Sequence, residues 1–95
     1  MLARAMSTLR VVVRGRVQGV GFRHFVWSRA RALQVRGRVW NRRDGAVEVE
    51  AEAGRAALEQ LLEQVRRGPS GARVESLDET WDGDAPGNEG FEIVG

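Results

Sequence analysis

The sequence predicts an α+β domain in which two helices cover one face of an antiparallel sheet, in the order strand, helix, strand, strand, helix, strand. Three observations carry this. Short valine-rich segments alternate apolar and other residues with a period of two, and two other segments repeat apolar residues at three- and four-residue steps. Between two of the alternating segments stands Asp44-Gly45, a pair that favours a tight hairpin.

LRVVVRG (9–15) places Leu9, Val11 and Val13 on one face and ends in glycine, so it reads as a strand. From Phe22 to Gln34, the spacing of Phe22, Phe25, Val26, Ala30 and Leu33 predicts a helix. VRGRVWNRR (35–43) returns to alternation. Val35, Gly37, Val39 and Asn41 share one face, and Arg36, Arg38, Trp40 and Arg42 share the other. After the turn, AVEVEAE (46–52) directs Val47, Val49 and Ala51 to the core and Glu48, Glu50 and Glu52 away from it. Arg55 to Arg67 is a second amphipathic helix with Leu58, Leu61, Leu62 and Val65 as its buried stripe, and Gly68-Pro69 stops it. Two extended segments follow, 72–81 and 91–94, separated by the polar stretch DGDAPGNEG. Val74 and Leu77 are three apart, which predicts a bulge or a twist in the first of them rather than flat alternation. With no repeat, low-complexity segment or linker, residues 9–95 read as one ferredoxin-like split βαβ sandwich, and residues 1–8 as an N-terminal extension with no assigned element, for which disorder is the open alternative.

Composition narrows the chemistry. A chain of 95 residues supports one modest core, so any site must be built on the elements that hold the fold. Absence of cysteine removes disulfides, thiolate nucleophiles and cysteine-ligated metals, and the single histidine, His24, removes a multi-histidine metal site. All 15 basic residues are arginine, so neither Schiff-base chemistry nor a phosphate-loop lysine is available. No apolar run reaches the length of a signal peptide core or a membrane span, and the expected setting is the cytoplasm, with no membrane partner.

Charge is divided along the chain: residues 1–43 hold 11 arginines and no acid, whereas residues 44–95 hold four arginines and all 13 acids. The predicted hairpin explains this division, because it sets Arg38, Trp40 and Arg42 beside Glu48, Glu50 and Glu52 on the solvent face. Opposite charges on neighbouring strands contribute about 0.2–1 kcal/mol per pair. A basic nucleic-acid surface is the competing explanation. The same architecture binds RNA when aromatic residues on the open sheet face stack bases, but 46–52 offers three glutamates and no aromatic there, so no nucleic-acid partner is expected.

The loop between the first strand and first helix, GRVQGVGFR (15–23), concentrates glycine beside arginine. Gly15, Gly19 and Gly21 allow several consecutive backbone N–H groups to turn inward, and the following helix adds its own free N–H groups and partial positive charge. Arg23 falls in the first helical turn, where a cation opposes the helix dipole. A bound anion would compensate, and a guanidinium fork grips two oxygens of a phosphoryl group at once. Asn41 shares the inward face with Val39, where an amide needs partners. His24 is expected to point outward from the helix. Trp27, Trp40 and Trp81 are assigned to packing.

GRVQGVGFR (15–23), GRVWN (37–41), the DG pair at 44–45 and FEIV (91–94) together resemble the acylphosphatases, over roughly Leu9 to Val94. The resemblance implies hydrolysis of small-molecule acyl phosphates, such as acetyl or carbamoyl phosphate, to a carboxylate and inorganic phosphate without a metal or other cofactor. It implies that Arg23 holds the phosphoryl oxygens and that Asn41 orients the attacking water. Gly15, Gln18, Gly19, Val20, Gly21 and Phe22 complete the implied phosphate cradle, with backbone amides as donors, and the protein is expected to act as a monomer. Two departures bear on the site. Val94-Gly95 stands where a more polar or basic finish is expected, and Trp40 is bulkier than the polar residue expected before the asparagine.

Overall fold

The computed structural model describes residues 6–95. Its elements are β1 (Ser7–Arg16), α1 (Phe22–Ala32), β2 (Arg36–Asn41), β3 (Val47–Ala53), α2 (Arg55–Arg67), β4 (Arg73–Trp81) and β5 (Phe91–Val94). They form a five-stranded sheet in the order β4-β1-β3-β2-β5, with the expected α+β architecture of two helices against it. β1 opens two residues earlier than its alternation predicts: Ser7 pairs with Ala53 and Thr8 with Glu52, so part of the 1–8 extension belongs to the sheet. The remainder of that extension, residues 1–5, lies outside the described residues.

The sheet is mixed rather than antiparallel throughout. β1 pairs antiparallel with β3 and β4, and β2 pairs antiparallel with β3, but β5 runs parallel to β2. Chain direction explains it. β4 ends beside the start of β1, and the 82–90 segment crosses that end of the sheet to the opposite edge. There Gly37 N–H donates to the Gly90 carbonyl at 2.9 Å, so β5 enters at the start of β2 and runs alongside it.

Helix α1 stops two residues short of the predicted Gln34. Gln34 has φ 58°, a left-handed conformation that cannot continue a helix, and Val35 N–H bonds back to the Ala30 carbonyl at 2.8 Å. On the inner sheet face Leu9, Val11, Val13, Val39, Val47, Val49 and Ala51 are buried against Phe22, Val26 and Ala30 of α1 and the Leu58, Leu61, Leu62, Val65 stripe of α2. Each large apolar side chain so buried contributes about 1.5–3 kcal/mol.

The opposite face carries the expected charge ladder: Arg36–Glu52 at 3.3 Å, Arg38–Glu50 at 2.8 Å and Arg42–Glu48 at 3.1 Å. Arg10 of β1 also pairs with Glu48, and between its two arginines this outward-facing carboxylate is buried. The predicted bulge is present. Arg14 pairs with Ser76 and Gly15 with Val74, leaving Glu75 as the extra residue.

Candidate active site

Three separate stretches reach one end of the sheet: the turn from β1 into α1, the end of β2 and the end of β5. The β1 end is shaped by the bulge. Gly15 has φ 128°, and a Cβ there would stand 2.2 Å from the Arg73 carbonyl oxygen and 2.8 Å from the Glu75 nitrogen. Gly15, expected in the cradle, is therefore required by the close approach of β4, and it lines neither of the cavities at this end.

Beyond β1 the loop is anchored at both ends by buried Val17 and Phe22. Gly19 and Gly21 have φ 74° and 78°, with no atom within 4 Å of where a Cβ would stand, so conformation rather than crowding selects glycine there. Among the described residues, no loop N–H from Gln18 to Phe22 is bonded to a backbone carbonyl. The first helical bond runs from Phe25 N–H to the Gly21 carbonyl at 3.0 Å, leaving the N–H groups of Phe22, Arg23 and His24 without an intrahelical acceptor. Val20 packs on the core. Gln18 contributes more than its backbone: its Nε2 donates to the Arg42 carbonyl at 2.8 Å and the Ala46 carbonyl at 2.9 Å, tying the loop to the β2–β3 hairpin.

That hairpin is the predicted Asp44-Gly45 turn. Arg42 N–H donates to the Ala46 carbonyl at 2.8 Å, and the Asp44 carboxylate accepts from Ala46 N–H at 3.1 Å. This backbone bond, followed by those from Arg14 and Arg42, lowers the Asp44 pKa to about 2.

Arg23 and Asn41 come together. No carboxylate lies in the first turn of α1, and among the described residues Arg23 makes no ion pair; its Nη1 donates to the Gly95 carbonyl at 3.1 Å. Asn41 ends β2 opposite Val47, facing inward as its alternation with Val39 predicts. Its Oδ1 is buried and has no hydrogen-bond partner. Both side chains border two adjoining cavities. The smaller, about 180 Å³, lies between the loop and α1 and is also lined by Gly19, Gly21, Phe22 and Ile93. The larger, about 460 Å³, opens toward the outer sheet face past Trp40, Val94 and Gly95.

The structure thus gathers Arg23, Asn41, Gly19, Gly21 and Phe22, and it adds residues that sequence reasoning did not assign. Ile93, Val94 and Gly95 reach the site only because β5 lies parallel to β2, and no local pattern signals that. Trp40, assigned to packing, borders the larger cavity. His24 is exposed, as expected, and stacked on Trp27 with ring centroids 5.3 Å apart, yet it also touches the rim of the smaller cavity. Among the described residues, no three His, Asp or Glu side chains are grouped to hold a metal ion, and no helix is long and apolar enough to cross a membrane. What the arrangement offers chemically is a cluster of N–H donors and one guanidinium around a small cavity, with an unsatisfied amide oxygen beside it.

Comparison with known proteins gives consistent matches. The sequence model of the acylphosphatase family matches residues 9–93. An acylphosphatase of Salinibacter ruber is 52% identical over 81 residues, which is 85% of this chain and 85% of that protein. The crystal structure of acylphosphatase from Bacillus subtilis superimposes with a TM-score of 0.88 at 40% identity, over 93% of this chain and 98% of that one. A larger protein, full-length HypF in its phosphate- and nucleotide-bound form, contains a similar unit: TM-score 0.88, 25% identity, 96% of this chain but 12% of that one.

Proposed function

The chain belongs to the acylphosphatase family, and from that premise we propose that Arg23 and the loop amides hold the phosphoryl group of an acyl phosphate while Asn41 directs the attacking water. The guanidinium of Arg23 takes two non-bridging oxygens, and the N–H groups of Gln18 to Phe22 with the α1 N-terminus take the rest of the charge. Asn41 Oδ1 accepts a hydrogen bond from the water and aims its oxygen at phosphorus, in line with the acyl oxygen. The water oxygen forms the new bond as the phosphorus–acyl oxygen bond breaks, and its electron pair departs with the carboxylate. The water's second proton passes to the phosphate oxygens or to bulk solvent.

A carboxylate is a good leaving group, so the reaction needs positioning and charge stabilisation more than an acid or a nucleophilic side chain. Arg23 and the amides supply both, and the mechanism requires no metal. Because loop, arginine and asparagine come from one chain, a monomer suffices for this chemistry, and the expected setting is the cytoplasm, as the absence of a signal-peptide core or membrane span in the sequence suggests. The observation that carries it is the buried, unpartnered Asn41 Oδ1 on the wall that both cavities share with Arg23. A water between this oxygen and a phosphoryl group would satisfy it.

Phosphate release from acetyl phosphate in the presence of EDTA tests the whole proposal; turnover that requires added metal overturns it. Arg23→Ala is expected to lower the rate at least about a hundredfold, as loss of one electrostatic stabiliser does. Asn41→Ala is expected to abolish most turnover while inorganic phosphate still competes for the site. Loss of phosphate affinity in Asn41→Ala, with Arg23→Ala unimpaired, would reverse the two roles.

A further inference from the structure

We propose that the larger cavity is the acyl-binding subsite and that Trp40 is its specificity-determining wall, selecting neutral aromatic acyl groups. This rests on the acyl phosphate reading above. Arg23 and Asn41 border both cavities, so the acyl group of a substrate whose phosphoryl group lies in the smaller one can extend past them into the larger. Sites of about 300–1,000 Å³ hold ring-containing ligands. The cavity's 460 Å³ therefore accepts a ring, and an acetyl methyl would leave most of it empty.

The lining selects the chemistry. Trp40 and Val94 are direct partners in the parallel β2–β5 register, so the indole and the isopropyl group stand side by side on one face. Val94 is 42% exposed, one of the few large apolar side chains left so open, and it is open toward this cavity. Arg38 lies with its guanidinium carbon 5.7 Å from the Trp40 ring centre, and its Nε donates to Glu50 at 2.8 Å. Glu50 thus neutralises the cation nearest the ring, and its own carboxylate borders the cavity. An acyl group with a second negative charge meets that carboxylate, while Arg38 is paired with Glu50 and Arg23, the other arginine on the lining, is taken by the phosphoryl group. A flat neutral ring meets an indole face and an apolar neighbour, the arrangement in which aromatic stacking is favourable.

The test compares kcat/KM for benzoyl phosphate and acetyl phosphate in the wild-type protein, Trp40→Ala, Trp40→Phe and Arg23→Ala. Wild type is expected to favour benzoyl phosphate, Trp40→Ala to lower the benzoyl-to-acetyl ratio about tenfold, and Trp40→Phe to keep it within about threefold. A ratio unchanged in Trp40→Ala overturns the subsite; the catalytic reading then still stands provided Arg23→Ala is inactive on both substrates. Wild-type protein that hydrolyses neither substrate overturns both. Product inhibition of the wild type needs no variant to fold: benzoate is expected to compete with acetyl phosphate about tenfold better than acetate, and equal inhibition by the two carboxylates overturns the assignment.

Discussion

Replacing Gln18 by alanine isolates the contribution of loop anchoring to catalysis. One amide nitrogen makes both contacts to the hairpin, at 2.8 and 2.9 Å. A neutral hydrogen bond contributes about 0.5–1.5 kcal/mol net, so two give about 1–3 kcal/mol. The lower part of that range applies, because both carbonyls keep another bond: the Arg42 oxygen accepts from Gly45 N–H at 3.3 Å, and the Ala46 oxygen from Arg42 N–H at 2.8 Å. Neither acceptor is orphaned by the substitution. The expected loss is about 1–2 kcal/mol of unfolding free energy, measured by urea denaturation. Val17 and Phe22 remain buried at the loop ends, so the freed stretch is Gln18 to Gly21, which contains both left-handed glycines. Substrate must then reorder a segment that the wild type holds in place. At the same 1–2 kcal/mol, kcat/KM falls about 5- to 30-fold, and inorganic phosphate inhibits correspondingly less well. Gln18→Glu is expected to be worse than alanine, because it directs a carboxylate at two carbonyl oxygens. Unchanged phosphate inhibition together with unchanged unfolding would refute the anchoring argument, as would a glutamate variant that matches wild type.

Three further perturbations follow from the same geometry. Gly15→Ala forces a methyl group into the Arg73 carbonyl at 2.2 Å with φ at 128°, and is expected to destabilise by more than about 2 kcal/mol in urea unfolding; a cradle role alone would lower activity and leave stability unchanged. Arg23→Lys keeps the charge but loses the planar fork, so its kcat is expected to lie between those of wild type and Arg23→Ala in steady-state assays. Asp44 has its folded pKa lowered to about 2, from an unperturbed carboxylate near 4, so its contribution to stability is full above pH of about 4 and is lost as pH falls through about 2. The Tm difference between wild type and Asp44→Asn is accordingly expected to shrink over that window and to be constant from pH of about 5 to 7.

Much of the fold was legible because the relevant signals are local. Alternation in 46–52, helical spacing in 55–67 and the Asp44-Gly45 pair each describe contacts within a few residues, and each element formed where its pattern lay. β5 was different. FEIV carries strand propensity, but its direction depends on a link that crosses the end of the sheet, and so the parallel pairing that brings Val94 and Gly95 to the site has no local signature. The site divided in the same way. Arg23 is a cation at the start of a helix and Asn41 a polar residue on an apolar face, but local pattern alone signals each of them weakly, and the roles expected of them come from the resemblance of GRVQGVGFR and GRVWN to the acylphosphatases. Gly15 looked like its neighbours in the motif, yet what selects glycine there is the backbone of β4, some sixty residues away in the chain. The Gln18 anchor spans 24 residues and leaves no trace in spacing or composition.

The charge ladder and the site are coupled through register. Trp40 and Asn41 are adjacent in β2 and point to opposite faces, so a slip of one residue against β3 would turn Asn41 outward and bury Trp40. Apolar burial of Val39 resists that slip from within. Arg36–Glu52 and Arg38–Glu50 resist it from the other face, since each arginine meets its partner only in the observed register. Half-exposed ion pairs contribute little to stability, about 0–1 kcal/mol each. Their larger effect here is to penalise the alternative pairing, which would set valines opposite charges along the whole hairpin. The division of charge along the chain thereby serves the inner face of the sheet: it holds β2 in the register that keeps Asn41 on the inner face, bordering the cavities that Arg23 also lines.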